Sequence, residues 1–340
     1  MRGGWIGLIA SAAAAISGSA QDRLNLAWPT ANQAYAAGQE LEAFIQPTES
    51  GLVESGLFGC VRTGGTQFHE GLDLKPVDRD ARGEPTDEVF AVLDGVVRHV
   101  SRRAGLSSYG RYVVIEHANV LPAVYTLYAH LAEIDPEIEP GRRVVTAQRI
   151  GIMGHSAGGY TIPASRAHVH FEIGLRLTDD FQSWYDWRRF GSDNDHGVWN
   201  GMNLVGLDPL AFYNAFRERR VDTFDDFIKQ TPPAVRVRVA VSGSPDFVRR
   251  HPSLLTTMMN PVDVAGWEVA FDVHGLPLAW TPLPATEMQG YRRNEVRVVW
   301  TDRPALDACR CKDLVRGRGN RVRADRDLQT NLQLLFGLRR

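Results

Sequence analysis

No apolar stretch of this chain is long enough to cross a bilayer: the best candidate, Trp5 to Ile16, gives about twelve residues where roughly twenty are needed. Stable membrane insertion is therefore not expected. An excess of positive charge is also missing, and a net charge of −2 sets aside the general nucleic-acid binders. Cysteine is scarce and odd in number, with Cys60, Cys309 and Cys311 the whole supply, so at most one internal bridge can form. Cys309 and Cys311 would strain if joined to each other, which leaves Cys60 with either one, or three free thiols. Nothing nearby in sequence completes a four-ligand zinc set around Cys309 and Cys311. Finally, no amphipathic helix of about 10–15 residues separates the apolar segments between Val89 and Ile173, which argues against a doubly wound parallel sheet.

What is present begins with MRGGWIGLIASAAAAISGSA, a positive Arg2, an apolar run and small residues up to Ala20, which reads as a secretory signal peptide. No cysteine lies there, so lipid attachment is unsupported. Export to the periplasm or cell exterior, an oxidising setting, is the expectation. The 340 residues suggest two domains. From Val89 to Ile173 short, often alternating apolar segments punctuated by glycine predict antiparallel strands. Helices are predicted at Asp208 to Arg219, with Asp208 capping and Pro209 in the first turn, and around Thr223 to Gln230. Thr231-Pro232-Pro233 then breaks the chain. The expected division is a signal peptide over 1–20, an N-terminal segment over 21–43, a catalytic domain over 44–216, a helical linker over 217–233 and a small α+β domain over 234–340. Residues 232–340 carry 17 Lys plus Arg against 11 Asp plus Glu, a basic surface that either solvates the domain or holds an anionic polymer.

Ten histidines are present, and the β region concentrates several in three short strings: FHEGLD with His69 and Asp73, LYAHL with His130, and AHVHFE with His168 and His170. A zinc enzyme needs three imidazole or carboxylate ligands and an open position for water, and these strings supply such a set. On a strand His168 and His170 project to one side. One could bind metal while the other faces its water. His69 and Asp73 would stand about 13 Å apart on a straight strand, so a bend is required, and Gly71 suits one. The competing geometry is a helix in which HEGLD would imitate HExxH with Glu70 as base, which the neighbouring glycines disfavour.

In this order, GLFGCVRTGGTQFHEGLDL, VFAVLDGVV, YTLYAHL and GIMGHSAGG…AHVHFEI resemble the lysostaphin-type (LytM-like) peptidoglycan zinc metallopeptidases, over roughly Phe44 to Tyr213. The resemblance implies a mainly β fold, an antiparallel β-sandwich with a groove over one zinc ion. It implies His69, Asp73 and His170 as zinc ligands, His130 and His168 as catalytic groups, and peptidoglycan as the partner. The implied reaction is hydrolysis of stem-peptide or cross-link amides. A non-catalytic wall-binding or hydrolase-activating module of the same fold is the alternative.

A second alternative is a serine hydrolase, since Gly154-His155-Ser156-Ala157-Gly158 matches G-x-S-x-G; Pro163 and a following strand speak instead for a glycine turn. Two segments differ from the family pattern, KPVDRDARGEPTDE after Asp73 and Leu177 to Asn203. Trp184, Tyr185, Trp187 and Trp199 in the latter either wall a groove or pin a loop. Glu172 reads as a supporting group, and His99, His117, His196, His251 and His274 show no partner pattern.

Overall fold

Alternation along three strands sets the architecture. The computed structural model describes residues 22–339, so the expected signal peptide lies outside the described residues. The first strands are β1 (Gly59–Arg62), β2 (Gln67–His69), β3 (Leu72–Leu74), β4 (Glu88–Phe90), β5 (Gly95–Ser101) and β6 (Tyr112–His117). Then follow β7 (Val124–Ala129), β8 (Glu133–Ile134), β9 (Arg143–Val144), β10 (Arg149–Ile152), β11 (Val169–Arg176) and β12 (Leu204–Leu207). Val113, Ile115, Tyr128, Phe171 and Ile173 fill one buried cluster, whereas Tyr112, Val114, Tyr125, Leu127 and Ala129 fill another. Because successive side chains point to opposite faces, this sheet is covered on both sides.

Strands β12, β11, β7, β6, β5 and β9 lie side by side in that order, and β3 also joins β11. Every pairing is antiparallel. One edge of β11 serves two partners: Leu72–Leu74 pair with Val169–Phe171, and Leu204–Leu207 pair with Ile173–Arg176. A second sheet, β4-β10-β8, contributes Val89, Ile150 and Ile134 to the core shared with Val113 and Phe171. The fold is the expected mainly antiparallel sandwich, with open sheets.

Leu177 to Asn203, expected as a loop, holds a helix, α1 (Phe181–Arg188). Trp184, Tyr185 and Trp199 are buried, and Trp199 lies 6.4 Å from the Tyr125 ring. These aromatics pin the segment to the body. In α2 (Pro209–Arg217) the Asp208 carboxylate accepts the Ala211 N–H, and Thr223 and Asp226 form a capping box for α3 (Phe224–Gln230). Beyond α3, β13 (Val235–Val239), α4 (Asp246–Arg250), β14 (Gly266–Phe271), β15 (Pro277–Leu283) and β16 (Val296–Thr301) follow. The sheet order is β15-β14-β13-β16, and α5 (Arg303–Ala308) and α6 (Arg326–Phe336) complete the chain. Trp280 packs between Phe247 and Phe336. Cys60 of β1 is bonded to Cys311, which leaves Cys309 as the free thiol. Among the described residues no helix is long and apolar enough to cross a membrane.

Candidate metal centre

The β1–β2 hairpin carries His69 opposite Gly59, and the chain then bends at Glu70 and Gly71 before continuing as β3. Both flanks are strands, so the helical reading of HEGLD does not apply. A Cβ at Gly71 would stand 2.3 Å from the Phe171 carbonyl oxygen. Glycine is needed because the bend presses its backbone against β11, and its φ is not positive. Pairing of β3 with β11 then sets Asp73 directly across from His170.

On β11 the side chains of Val169, Phe171 and Ile173 enter the core, so His170 and Glu172 face the other way. His130 follows the last residue of β7 in a left-handed conformation, φ 62°, sparsely populated by residues other than glycine. Its N–H is tied to the Tyr109 carbonyl at 2.9 Å, which holds the turn. All five side chains, His69, Asp73, His130, His168 and His170, are buried.

Three atoms meet at the centre. His69 Nε2 lies 3.0 Å from His170 Nδ1 and 3.0 Å from Asp73 Oδ1, and His170 Nδ1 lies 3.1 Å from the same oxygen. The remaining ring nitrogens are tied back. His69 Nδ1 reaches the Leu57 carbonyl at 2.6 Å, and His170 Nε2 reaches Glu172 Oε1 at 3.0 Å. Carbonyl and carboxylate acceptors demand N–H donors, so in the neutral rings the opposite nitrogens present lone pairs to the centre. Glu172 is held in turn by the hydroxyls of Tyr109 and Tyr125. Arg62 donates to Asp73 Oδ2, leaving Oδ1 for the centre.

His130 and His168 stand beside this triangle, their rings 4.8 Å apart. His130 Nδ1 is bonded to the Ser156 carbonyl and His168 Nδ1 to the Arg166 carbonyl, each at 2.8 Å. Both therefore present Nε2, and that of His168 is 3.6 Å from Asp73 Oδ1. Burial would raise the Asp73 carboxyl, but His69, His168 and His170 hold it well below the usual range. Burial opposes charge on His170, yet Asp73 and Glu172 push it up to about 9. Burial and the neighbouring histidines hold His130 far below its ordinary value, and burial lowers His168. The centre thus attracts one positive charge between Asp73 and Glu172.

Zinc fits this donor set. Tetrahedral zinc with bonds of about 2.0–2.2 Å to nitrogen and oxygen separates its ligand atoms by roughly 3.3 Å. Arg62, Tyr109 and Tyr125 gave no signal in the sequence, because their partners are brought to them by other strands. Glu172 did, through its spacing of two from His170.

Ser156 does not form a nucleophile elbow. Its hydroxyl donates to the Leu131 carbonyl and accepts the Arg111 N–H, and a glycine turn rather than an α-helix follows. The hydroxyl is fully engaged in holding the turn whose carbonyl orients His130. His155 bonds Ile162 and Glu84, and His99 and His196 pair with each other at 3.3 Å. His117 bonds Thr126 and the Asp94 carbonyl, His251 packs on Phe247, and His274 packs on Phe58.

Residues 67–180 match the model of peptidase family M23. Among solved structures, a lytM protein from Ruminococcus gnavus is 28% identical over 32% of this chain and 39% of its own, with a TM-score of 0.25. A zinc-containing peptidase from Vibrio cholerae is 25% identical over 45% of this chain and 36% of its own, with a TM-score of 0.29. The catalytic domain of lysostaphin from Staphylococcus simulans is 16% identical over 47% of this chain and 87% of its own, with a TM-score of 0.29. The matches span less than two thirds of the first two of these chains. No curated protein matches this chain significantly.

Proposed function

We propose, from the match of residues 67–180 to the model of peptidase family M23, that the protein is an exported zinc endopeptidase that hydrolyses amides in the peptide part of peptidoglycan. The observation that carries the reading is the triangle of His69 Nε2, Asp73 Oδ1 and His170 Nδ1, with sides of 3.0–3.1 Å, set beside two further histidines. His69, Asp73 and His170 would hold the metal. When bound, zinc supplies Lewis acidity and lowers the pKa of a coordinated water toward about 7.

The protein's own groups supply the proton handling. With Nδ1–H committed to carbonyls, neutral His130 and His168 are both acceptors at Nε2, so either can take the proton of the attacking water. Asp73 lies 3.6 Å from His168 Nε2 and steadies the imidazolium there. We assign His168 as the proton acceptor on that ground. Its acquired Nε2–H can then pass to the leaving amine. A neutral His130 cannot donate at Nε2, so it contributes an oxyanion hydrogen bond only when protonated. Two imidazolium rings 4.8 Å apart repel, and the pair therefore works with a single proton.

The test is digestion of purified peptidoglycan with products identified by mass. Chelation should stop release of peptides, zinc should restore it, and His168→Ala should retain zinc while losing cleavage by about 10²-fold or more. Cleavage that survives chelation, or wild-type cleavage by the His168 variant, overturns the proposal. Wall binding without release of peptides points to the non-catalytic module.

A further inference from the structure

A second cluster of residues able to hold a metal shares no residue with this site. Cys60 in β1, His274 in the turn between β14 and β15, and Cys309 after α5 bring their ligand atoms within 4.8 Å of one another. Cys311 belongs to the same group, since its sulfur is bonded to Cys60. Free Cys309 Sγ lies 3.1 Å from Cys60 Sγ. Four residues from three distant segments thus share one small volume.

We propose that Cys60, His274, Cys309 and Cys311 form a second zinc site that exists only when the Cys60–Cys311 disulfide is reduced. Three cysteines and a histidine make one of the closed tetrahedral sets of structural zinc, with sulfur bonds of about 2.3 Å. The sequence alone offered Cys309 and Cys311 without companions; the fold supplies Cys60 and His274. Local charge suits the site. Zinc with three thiolates and a neutral imidazole carries net −1, and Lys312 acts electrostatically on both His274 and Cys309. Arg310, between the two cysteines, bonds the Gly64 carbonyl of the same hairpin turn. Both redox states would tie the C-terminal segment to the hairpin that carries His69, one through sulfur and one through metal.

The chemistry balances. A dithiol reductant gives two electrons and two protons to the Cys60–Cys311 bond, becoming a disulfide itself and leaving three thiols on the chain. Capture of one Zn²⁺ then releases three protons as the thiols become thiolates, while His274 ligates as the neutral ring. A disulfide oxidant reverses the sequence, re-forming Cys60–Cys311, reprotonating Cys309 and expelling the metal.

The test uses the full mature chain, reduced with a dithiol, freed of reductant without oxygen, and titrated with Co²⁺. The expected result is near-ultraviolet sulfur-to-cobalt charge transfer that saturates at one equivalent of its own and is absent from the oxidised chain. His274→Gln, with its fold checked by circular dichroism, should weaken that signal's cobalt affinity by more than the roughly 10–100-fold that outer-sphere partners cost. Absence of the sulfur band from the reduced wild-type chain at every cobalt loading overturns the proposal, and this comparison needs no variant. The His69, Asp73 and His170 site contains no sulfur. Its failure to bind metal would leave the band in place, so the two proposals fail separately.

Discussion

The carboxylate of Glu172 accepts the Nε2 proton of His170 at 3.0 Å, on the side of the ring opposite Asp73. In the neutral ring this bond fixes the tautomer that offers Nδ1 to the centre. Glu172→Gln keeps the shape but loses the charge, and should weaken zinc affinity about 10–100-fold. Competition with a chromophoric chelator measures it, and unchanged affinity would refute the positioning role.

Zinc uptake should release a proton. With its value pushed up to about 9, His170 is protonated at pH 7 in the metal-free chain, yet it must present a lone pair at Nδ1 to ligate. Calorimetry in buffers of different ionisation enthalpy should therefore report about one proton released per zinc at neutral pH, falling toward zero above pH 9. A buffer-independent enthalpy at pH 7 would contradict the assignment.

Gly71→Ala should damage stability and metal binding together. The added methyl would lie 2.3 Å from the Phe171 carbonyl oxygen, so the bend must withdraw from β11. Overpacking of this kind costs roughly 1–3 kcal/mol. Urea unfolding and zinc affinity measured on one preparation test both effects, and a variant as stable as wild type with normal affinity would show that the close approach is dispensable.

Acid should unfold the protein partly through His117. Burial drops this imidazole to about 4, against about 6.5 in an unfolded chain. Between those values the unfolded state binds the extra proton, so stability is fully present above pH 6.5 and declines as pH falls toward 4. The full effect approaches ~3 kcal/mol for one group. His117→Gln should flatten that part of the curve, and an unchanged slope between pH 6.5 and 4 would exclude His117 as a contributor.

Much of the site was legible in the sequence because its spacing follows strand periodicity. His168, His170 and Glu172 repeat every second residue, and a glycine stands where His69 and Asp73 must turn toward each other. The reason for that glycine was not legible, since it lies in the carbonyl of Phe171, about a hundred residues away along the chain. The helix over Phe181–Arg188 escaped for a different reason. Asp180 makes no side-chain cap there, and the buried Phe181, Trp184 and Tyr185 are interleaved with polar residues in a single short segment. Cys311 rather than Cys309 as the partner of Cys60 could not be chosen from spacing. The choice depends on how α5 delivers both cysteines to β1, which is a property of the folded chain.

His69 and His170 are separated by 101 positions along the chain. A loop that long closes at an entropic cost that grows only slowly with length, but the cost must be met before the two rings can share an ion. Folding of β3 and β7 against β11 meets it in advance. A chain still extended during passage across a membrane would hold these residues as isolated, weak ligands. Under the export and activity proposed above, the centre would be assembled only at the destination, and the delay itself would keep the enzyme harmless inside the cell that makes it.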